Sequence, residues 1–171
     1  TPPDDRFDVV ESDHRAGAAA ATRHLLSLGH PTVHHLAGPD TSYAARAREE
    51  GWRQALADAG VPAPPVIRGD WSSASGHRAG LALARDPDVT AVFVANDQMA
   101  LGLLRALAEA GRAVPDDVSV VGFDDVPDAA QFQPPLTTVR QDFDALGEHA
   151  VAVLAAGIGG APPSAPVVVE T

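Results

Sequence analysis

Several polar and aromatic side chains in this sequence follow directly after short apolar runs, where they could bind a small molecule. Such runs predict buried strands, and the carboxyl ends of parallel strands meet at one edge of an α/β sheet, where ligands are held. Guanidinium, amide and carboxylate groups hydrogen-bond to hydroxyl groups, and an indole offers a flat apolar face. The candidate residues at this edge are Ser42, Arg48, Trp71, Asn96, Asp97 and Asp124.

Each candidate also has a purely structural explanation. Asp97 is placed to cap the helix that follows the apolar run 92–95, which leaves Asn96 facing the ligand. Trp71 could simply cover the sheet, and Arg48, on the apolar stripe of a predicted helix, could pair with a carboxylate. Because four separate strand ends converge on one edge, we favour a ligand-binding cleft over unrelated structural roles.

The spacing of other reactive residues does not favour a metal site or an enzyme. His34 and His35 are adjacent in a predicted strand and point to opposite faces, and neither a carboxylate nor a cysteine pair accompanies them or His30. Asp124-Asp125 resembles a catalytic carboxylate pair, but no Ser-His or Cys-His partner occurs at a recognisable spacing. A glycine-rich phosphate loop is also missing. We therefore expect no metal, no cofactor and no enzymatic activity.

The charge balance argues against nucleic-acid binding by this segment. The 171 residues carry 12 basic and 23 acidic side chains, a formal net charge of -11, and the basic residues are scattered. Phosphate backbones are bound by clustered Lys and Arg. A hydrophobic content of 45% can furnish a core for one domain or two small lobes. Neither an apolar run of about 18 residues nor a leader pattern occurs, so we expect the chain as given to be soluble, without membrane contact and without an export signal. A leader could precede the interior-like opening TPPDD.

Strand and helix patterns alternate along the whole chain. The helical pattern predicts helices over residues 13–28, 43–59, 74–84, 98–110 and 144–155. Short apolar runs predict strands over residues 7–10, 32–37, 66–69, 90–95, 118–122, 136–139 and 167–169. This alternation predicts an α/β fold with a doubly wound, mostly parallel sheet and right-handed crossovers.

The predicted helix 98–110 is apolar around most of its circumference. A helix of this kind must bury more than one face, so packing on the sheet leaves surface for a partner subunit. We expect a homodimer whose interface includes Leu101, Leu104 and Phe132.

Several motifs follow one another along nearly the whole chain: residues 25–30 (LLSLGH), 94–102 (VANDQMALG), 114–125 (VPDDVSVVGFDD) and 134–139 (PPLTTV). In sequence and order they resemble the ligand-binding core of regulators of the lactose-repressor/galactose-repressor family. The shorter motifs AGP, GDWS and QDF are similar to the lactose-repressor branch in particular, and they occupy residues 37–39, 69–72 and 141–143.

The resemblance implies a type I periplasmic-binding-protein-like fold with two lobes and a small-molecule effector, a sugar, in the cleft between them. It implies that Arg48 binds the effector through its guanidinium and that Trp71 stacks on it. Asn96 and Asp124 are implied as the pair that binds hydroxyl groups. Further implied contacts are Gln141 and Phe143 near the hinge, with Asp13 as a weaker candidate.

The same resemblance implies that this chain is part of a longer regulator whose second lobe is incomplete here. Residues 1–29 and 143–160 correspond to an amino-terminal lobe, residues 30–142 to a carboxyl-terminal lobe, and residues 161–171 to a returning strand. Operator DNA would be bound only by a helix-turn-helix headpiece outside these residues. The cytoplasmic location that we expect follows from the same resemblance. Two other interpretations stay open: a sugar-binding protein of a transport system, and a doubly wound enzyme.

Overall fold

The computed structural model describes residues 8–160, 162 and 165–171. The strands are β1 (Val10–Ser12), β2 (His34–Ala37), β3 (Ile67–Arg68), β4 (Ala91–Val94), β5 (Ser119–Asp124), β6 (Thr137–Arg140) and β7 (Val167–Val169). The helices are α1 (His14–Ser27), α2 (Tyr43–Asp58), α3 (Ser73–Leu83), α4 (Asp97–Glu109) and α5 (Phe143–Ile158), with a 3-10 turn at Ala129–Gln131. The predicted lead-in at 1–6 and Phe7, the start of the predicted strand 7–10, lie outside the described residues.

The described residues form two units: His14–Arg140, and the segments 8–13, 141–160, 162 and 165–171. The larger unit contains a five-stranded parallel sheet in the order β3-β2-β4-β5-β6. In its centre Leu36 of β2 pairs with Val94 of β4, and Phe93 of β4 pairs with Val121 of β5. The predicted α/β fold with a doubly wound parallel sheet is confirmed.

The central strand β4 explains why helices cover both faces of this sheet. All four of its residues are buried, and successive side chains point to opposite faces. Ala91 and Phe93 pack into the apolar cluster beneath α1 and α2, whereas Val92 and Val94 pack into the cluster beneath α3 and α4. A strand that is apolar at every position needs this burial between two helical layers.

The helices α2, α3 and α4 each begin just beyond a strand, at the carboxyl edge of the sheet. Their first turns are capped by the side chains of Ser42, Ser72 and Asn96, which accept backbone N–H groups at 3.4, 3.1 and 3.0 Å. The strand order reverses between β2 and β4, because β3 lies on the outer side of β2. A doubly wound sheet binds its ligands at this reversal point, so the fold places the candidate residues where a ligand is expected.

Helix α1 lies in the larger unit, whereas the resemblance assigns residues 1–29 to the amino-terminal lobe. It packs along α2, and Gly51 makes the close approach possible, since a Cβ there would collide with the Arg15 carbonyl oxygen. Ala18 and Leu25 of α1 are completely buried in the cluster beneath these two helices. The unit boundaries therefore fall after residues 13 and 140 and not after residues 29 and 142.

The smaller unit consists of one helix and two strands among the described residues. Strand β1 pairs in parallel with β7, with Val10 opposite Val167, and α5 packs on both strands. The apolar side chains Val151, Leu154 and Ile158 of α5 are 68, 65 and 80% exposed. In the described part of the chain no helix combines the length and the apolar character needed to cross a membrane.

The apolar circumference of helix α4 is buried within this chain itself, against the sheet on one side and against α3 on another. The two helices approach closely at Gly102, where a Cβ would collide with the Ser73 carbonyl oxygen. Leu104 is 4% exposed and belongs to the core, so it drops out of the predicted dimer interface. Leu101 is 42% exposed, and Phe132 is half-buried against the same core. The apolar circumference is thus not a reason to expect a partner subunit.

His35 is a titratable side chain in the core of the larger unit. It is 1% exposed, its ring stacks on Phe93 with 4.8 Å between centroids, and the Trp52 ring lies 5.2 Å away. Its Nδ1 lies 3.0 Å from the Phe93 carbonyl oxygen, whereas its Nε2 is buried with no hydrogen-bond partner among the described residues. Burial lowers the pKa of His35 to about 4.

We expect this histidine to make the chain less stable in mild acid. Its pKa in the folded state is lower than the unfolded value of 6.5, so the unfolded chain takes up the proton first, and the free energy of unfolding falls as the pH drops below that value. The loss from this group between about pH 7.5 and about pH 5 is about 2 kcal/mol. Urea unfolding at the two pH values measures it.

In the variant His35→Phe most of this pH-dependent loss of unfolding free energy should disappear. The control variant His24→Phe, at an exposed position on α1, should show the same loss as the parent chain. An equal loss in His35→Phe and in the parent chain would show that His35 does not cause it.

Candidate ligand-binding site

Arg48 is a buried cation at the carboxyl edge of the sheet. It faces inward from α2, as its place on the apolar stripe predicts, and is 4% exposed. Its Nη1 donates to the carbonyl oxygen of Ala95, directly after β4. Its Nη2 lies 3.2 Å from Oδ1 of Asp124, the last residue of β5. Arg48 therefore ties the ends of the two neighbouring strands together.

Two aromatic rings flank the guanidinium of Arg48. Its central carbon lies 3.8 Å from the centroid of the Phe123 ring and 5.8 Å from that of Trp71. Both distances lie in the range of cation–π attraction. Burial lowers the pKa of Arg48, and the charge and hydrogen bond of Asp124 oppose this change. Since an arginine keeps its proton at neutral pH, the edge holds a fixed positive charge beside a carboxylate.

Trp71 covers the end of strand β2. Its indole lies over Gly38, where a Cβ would collide with the ring carbons, and it packs against the apolar cluster beneath α3 and α4. The side chain is half-buried, so part of the ring stays at the surface beside Arg48. The two roles considered for this residue, covering the sheet and offering an aromatic face, are compatible.

Backbone strain is concentrated at the same edge. Trp71, Asp124 and Asp125 have φ angles of 75°, 121° and 56°, in the region that favours glycine. In the described part of the chain they are the only residues other than glycine with positive φ. Conformations of this kind cost about 1–3 kcal/mol each and persist where the surroundings enforce them, often at ligand sites.

The cap of α4 is Asn96 and not, as the sequence predicts, Asp97. Asn96 caps α4, because its backbone is extended (φ -156°, ψ 164°) and its Oδ1 accepts the Met99 N–H at 3.0 Å, whereas Asp97 already belongs to the helix. The Asn96 Nδ2 donates to the Trp71 carbonyl oxygen at 3.1 Å and to Gln98 Oε1 at 2.9 Å. Asn96 is 6% exposed, so its amide mainly fixes the turn that carries Trp71.

Asp97 is a completely buried carboxylate behind this edge. Its Oδ1 accepts the hydroxyl of Thr138 at 2.6 Å, and its Oδ2 accepts the N–H of Val126 at 2.9 Å. Burial raises the pKa of Asp97, and these hydrogen bonds act in the opposite direction. Gly122 lies so close to Oδ1 that a Cβ would collide with it. Asp97 therefore fastens the start of α4 to β6 and to the segment that follows Asp124.

The structure brings four of the predicted ligand-binding residues together in the larger unit. Arg48 contacts both Asp124 and Trp71, and Trp71 is hydrogen-bonded to Asn96. Ser42 lies at the start of the same helix as Arg48, where its hydroxyl oxygen caps the first turn.

The other predicted residues belong to the smaller unit. Gln141 is 8% exposed, Phe143 is the first residue of α5 and is 55% exposed, and Asp13 follows β1 and donates its N–H to the Val169 carbonyl oxygen at 2.8 Å.

Two residues of the site are missed by the prediction from sequence. Phe123, which lies under the guanidinium, is the last apolar residue before Asp124, and that position could have identified it. His14 has its Nδ1 3.4 Å from Arg48 Nη2. As the first residue of a helix it carries no periodic signal, and only the fold shows which strand end it reaches.

A separate pocket of the larger unit lies at the opposite edge of the sheet. It is bounded by the first residues of β5 and β6, Ser119 and Thr137, and by apolar side chains such as Leu28 and Leu104. Arg, Asn and Asp do not occur in its lining, so it lacks the groups expected for a ligand rich in hydroxyl groups. Among the residues that the structure describes, no three His, Cys, Asp or Glu side chains are grouped as metal ligands.

The family model of the periplasmic binding protein-like domain matches residues 22–171. The chain belongs to this family. The lactose operon repressor of Klebsiella pneumoniae is 49% identical over 143 residues, which are 83% of this chain and 40% of that repressor. A solved structure of a dimeric Lac repressor with a C-terminal deletion has a TM-score of 0.89 at 37% identity and covers 98% of this chain and 63% of that chain. The complex of the transcriptional regulator CelR with cellobiose has a TM-score of 0.90 at 37% identity, covering 98% and 52%.

These comparisons confirm the resemblance to lactose-repressor-type regulators and the type I periplasmic-binding-protein-like fold. The chain spans about two fifths to a half of the length of the curated relatives it matches. The edge that carries Arg48 and Trp71 is thus part of the periplasmic binding protein-like domain.

Replacement of Asp97 by Asn should loosen this edge. The amide keeps the size of the side chain but is neutral and has only one acceptor. The Val126 N–H then donates to a neutral oxygen, while the Thr138 hydroxyl has to accept from the NH2 group and leaves its own proton without this acceptor. The free energy of unfolding should fall by about 1–3 kcal/mol in urea denaturation. The neighbouring exposed Asp125, changed to Asn, is the matched control and should stay within about 0.5 kcal/mol of the parent. Equal stability of the Asp97→Asn variant and its control would contradict the role given to the buried carboxylate.

Proposed function

We propose that this chain is the effector-sensing part of a sugar-responsive transcriptional regulator and that the sugar binds at the edge of the larger unit. The observation that supports this most is the arrangement around Arg48, whose guanidinium is held by Asp124 and by the Ala95 carbonyl oxygen, over Phe123 and beside Trp71. A cation fixed in this way cannot collapse onto another partner, so it keeps its direction before a ligand arrives.

The chemistry of this edge suits a sugar. Hydroxyl groups bind well to charged planar partners such as guanidinium and carboxylate, and the C–H face of a sugar ring packs on an indole. Arg48, Asp124 and Trp71 supply these groups, and Asn96 adds an amide whose present partners are Trp71 and Gln98. Ser42 is proposed as a further contact from the turn that precedes α2.

Three proposed ligand contacts lie in the smaller unit and rest on the motif alone: Asp13, Gln141 and Phe143. Operator binding is proposed for a headpiece outside these residues, which agrees with the net charge of -11 of this segment. Two of the relatives are lactose operon repressors. We therefore propose a regulator without catalytic activity that works in the cytoplasm.

Sugar titration of the intact regulator that contains this chain tests the proposal. Cellobiose, lactose, ribose and glucose are titrated calorimetrically into the parent protein and into Arg48→Lys. Lysine cannot reach the Ala95 carbonyl oxygen and Asp124 in one planar arrangement, so we expect the affinity for the bound sugar to fall by about tenfold or more.

The matched control is Arg53→Lys. Arg53 lies on the same helix but pairs with Glu49 at the surface, and its variant should bind the sugar as the parent does. Absence of binding by every sugar in the parent protein, or equal affinity of Arg48→Lys and the parent, would refute the proposed site.

We also propose that the regulator is a homodimer that uses the exposed face between α3 and α4. A shallow groove on this face is lined by Leu101 together with Ser73, His77, Arg78 and Arg105. The related Lac repressor structure is described as dimeric. A two-fold interface would place the two Leu101 side chains on matching patches, with charged groups at the rim. Phe132 remains a proposed neighbour of this interface.

Sedimentation at micromolar concentration tests the dimer. Leu101→Glu should convert it to a monomer, because the interface would then bury an unpaired carboxylate. Leu28→Glu, at a leucine on α1 that is 58% exposed, should leave the dimer intact. A monomeric parent protein, or a Leu101→Glu variant that still sediments as a dimer, would show that this face is not the interface.

A further inference from the structure

His14 lies against the guanidinium of Arg48 and has no role in the site described so far. Its Nδ1 is 3.4 Å from Arg48 Nη2, the same nitrogen that lies 3.2 Å from Asp124 Oδ1. Its ring centroid is 6.1 Å from that of Phe123, at an interplanar angle of 53°. His14 and Arg48 therefore share the Phe123 ring as a common support.

The contacts of Arg48 show why this neighbour matters. Its Nε is buried with no hydrogen-bond partner among the described residues. The orientation of the guanidinium plane about the long side chain thus depends on its two terminal nitrogens. Nη1 is held by the Ala95 carbonyl oxygen, and Nη2 is held by Asp124 and His14.

The direction of hydrogen bonding fixes the tautomer of His14. A guanidinium nitrogen can only donate, so the Nδ1 that faces Arg48 must carry a lone pair and the proton must be on Nε2. His35 is the opposite case in the same unit, because its Nδ1 faces the Phe93 carbonyl oxygen and must carry the proton. The structure thus predicts two different neutral tautomers for two histidines.

We propose that His14 is a positioning residue for Arg48 and, through Arg48, a determinant of effector affinity. This inference rests on the proposed function, since it assigns His14 a role toward the same sugar site. The neutral imidazole accepts from Nη2 and restricts rotation of the guanidinium, so less side-chain freedom remains to be lost when a ligand binds. His14 touches Arg48 and not the ligand.

The tautomer is measured on this chain by long-range proton–nitrogen NMR correlation at neutral pH. We expect the Nε2–H form at His14 and the Nδ1–H form at His35, which serves as the internal reference. Finding the Nδ1–H form at His14 overturns the proposal, because that form cannot accept from Arg48.

Affinity provides the second measurement, in the intact regulator with the sugar that binds best among cellobiose, lactose, ribose and glucose. His14→Phe keeps a ring against Phe123 but loses the acceptor, and we expect affinity to fall by about five- to tenfold. His14→Asn places an amide oxygen close to the position of Nδ1 and should restore affinity to within about threefold of the parent. His24→Phe, on the same helix and exposed, is the control and should bind as the parent does.

The unfolding temperatures of the three variants show whether a loss of affinity comes from lost positioning of Arg48 or from a less stable fold. The unfolding temperature of His14→Phe should stay close to that of the parent because the ring packing is retained. Equal affinity of His14→Phe and the parent overturns the proposal, as does equal weakening in His14→Asn and His14→Phe. If the parent protein binds none of the four sugars, the proposed function fails, and the tautomer of His14 alone then decides its relation to Arg48.

Discussion

One buried carboxylate, that of Asp97, holds the candidate ligand edge together. It accepts hydrogen bonds from Thr138 and from the backbone of Val126, and so joins three parts of the larger unit that are distant in sequence. Burying a carboxylate is unfavourable, which is why burial raises the pKa of Asp97, and the two strong hydrogen bonds offset this cost. Asp124, which pairs with Arg48, lies at the start of the segment that Asp97 holds. The geometry of the candidate ligand edge thus depends on a residue that lies behind it.

The same carboxylate links the ligand edge to a helix that carries an exposed leucine. Asn96 and Asp97 form the start of α4, and Leu101 follows one helical turn later. A ligand that moves the Asp124 segment while the hydrogen bond between Val126 and Asp97 is kept would also move the first turn of α4. Ligand binding and the proposed dimer face can therefore share one rigid element, which is the physical requirement for coupling between two sites.

Much of this fold follows from local patterns. The buried strand β4, the inward position of Arg48 on α2 and the helix beginnings near Ser42 and Asn96 all depend on periodicity and capping chemistry. Other features depend on residues far away in the chain. The role of Asp97 requires Thr138, which is 41 positions later, so capping chemistry alone points to the wrong member of the Asn96-Asp97 pair.

Two further differences between the predictions from sequence and the structure have the same physical origin. Leu104 is apolar at a helical spacing that fits a dimer face equally well, and only the packing of α4 near the first residues of β5 and β6 places it in the core. His14 gives no periodic signal at the first position of α1, and its contact with Arg48 is created when α1 packs along α2. Tertiary packing therefore determines the roles of those residues that local sequence patterns leave open or assign wrongly.

Native-state hydrogen exchange at the backbone N–H of Val126 tests the central role of Asp97 most directly. This amide lies in a segment without regular secondary structure, where exchange is ordinarily fast, but it donates to a buried carboxylate at 2.9 Å. If Asp97 holds the segment, the Val126 amide should be protected to a degree similar to the amides of β5. Exchange as fast as that of an unstructured peptide would contradict the view that this carboxylate fixes the ligand edge.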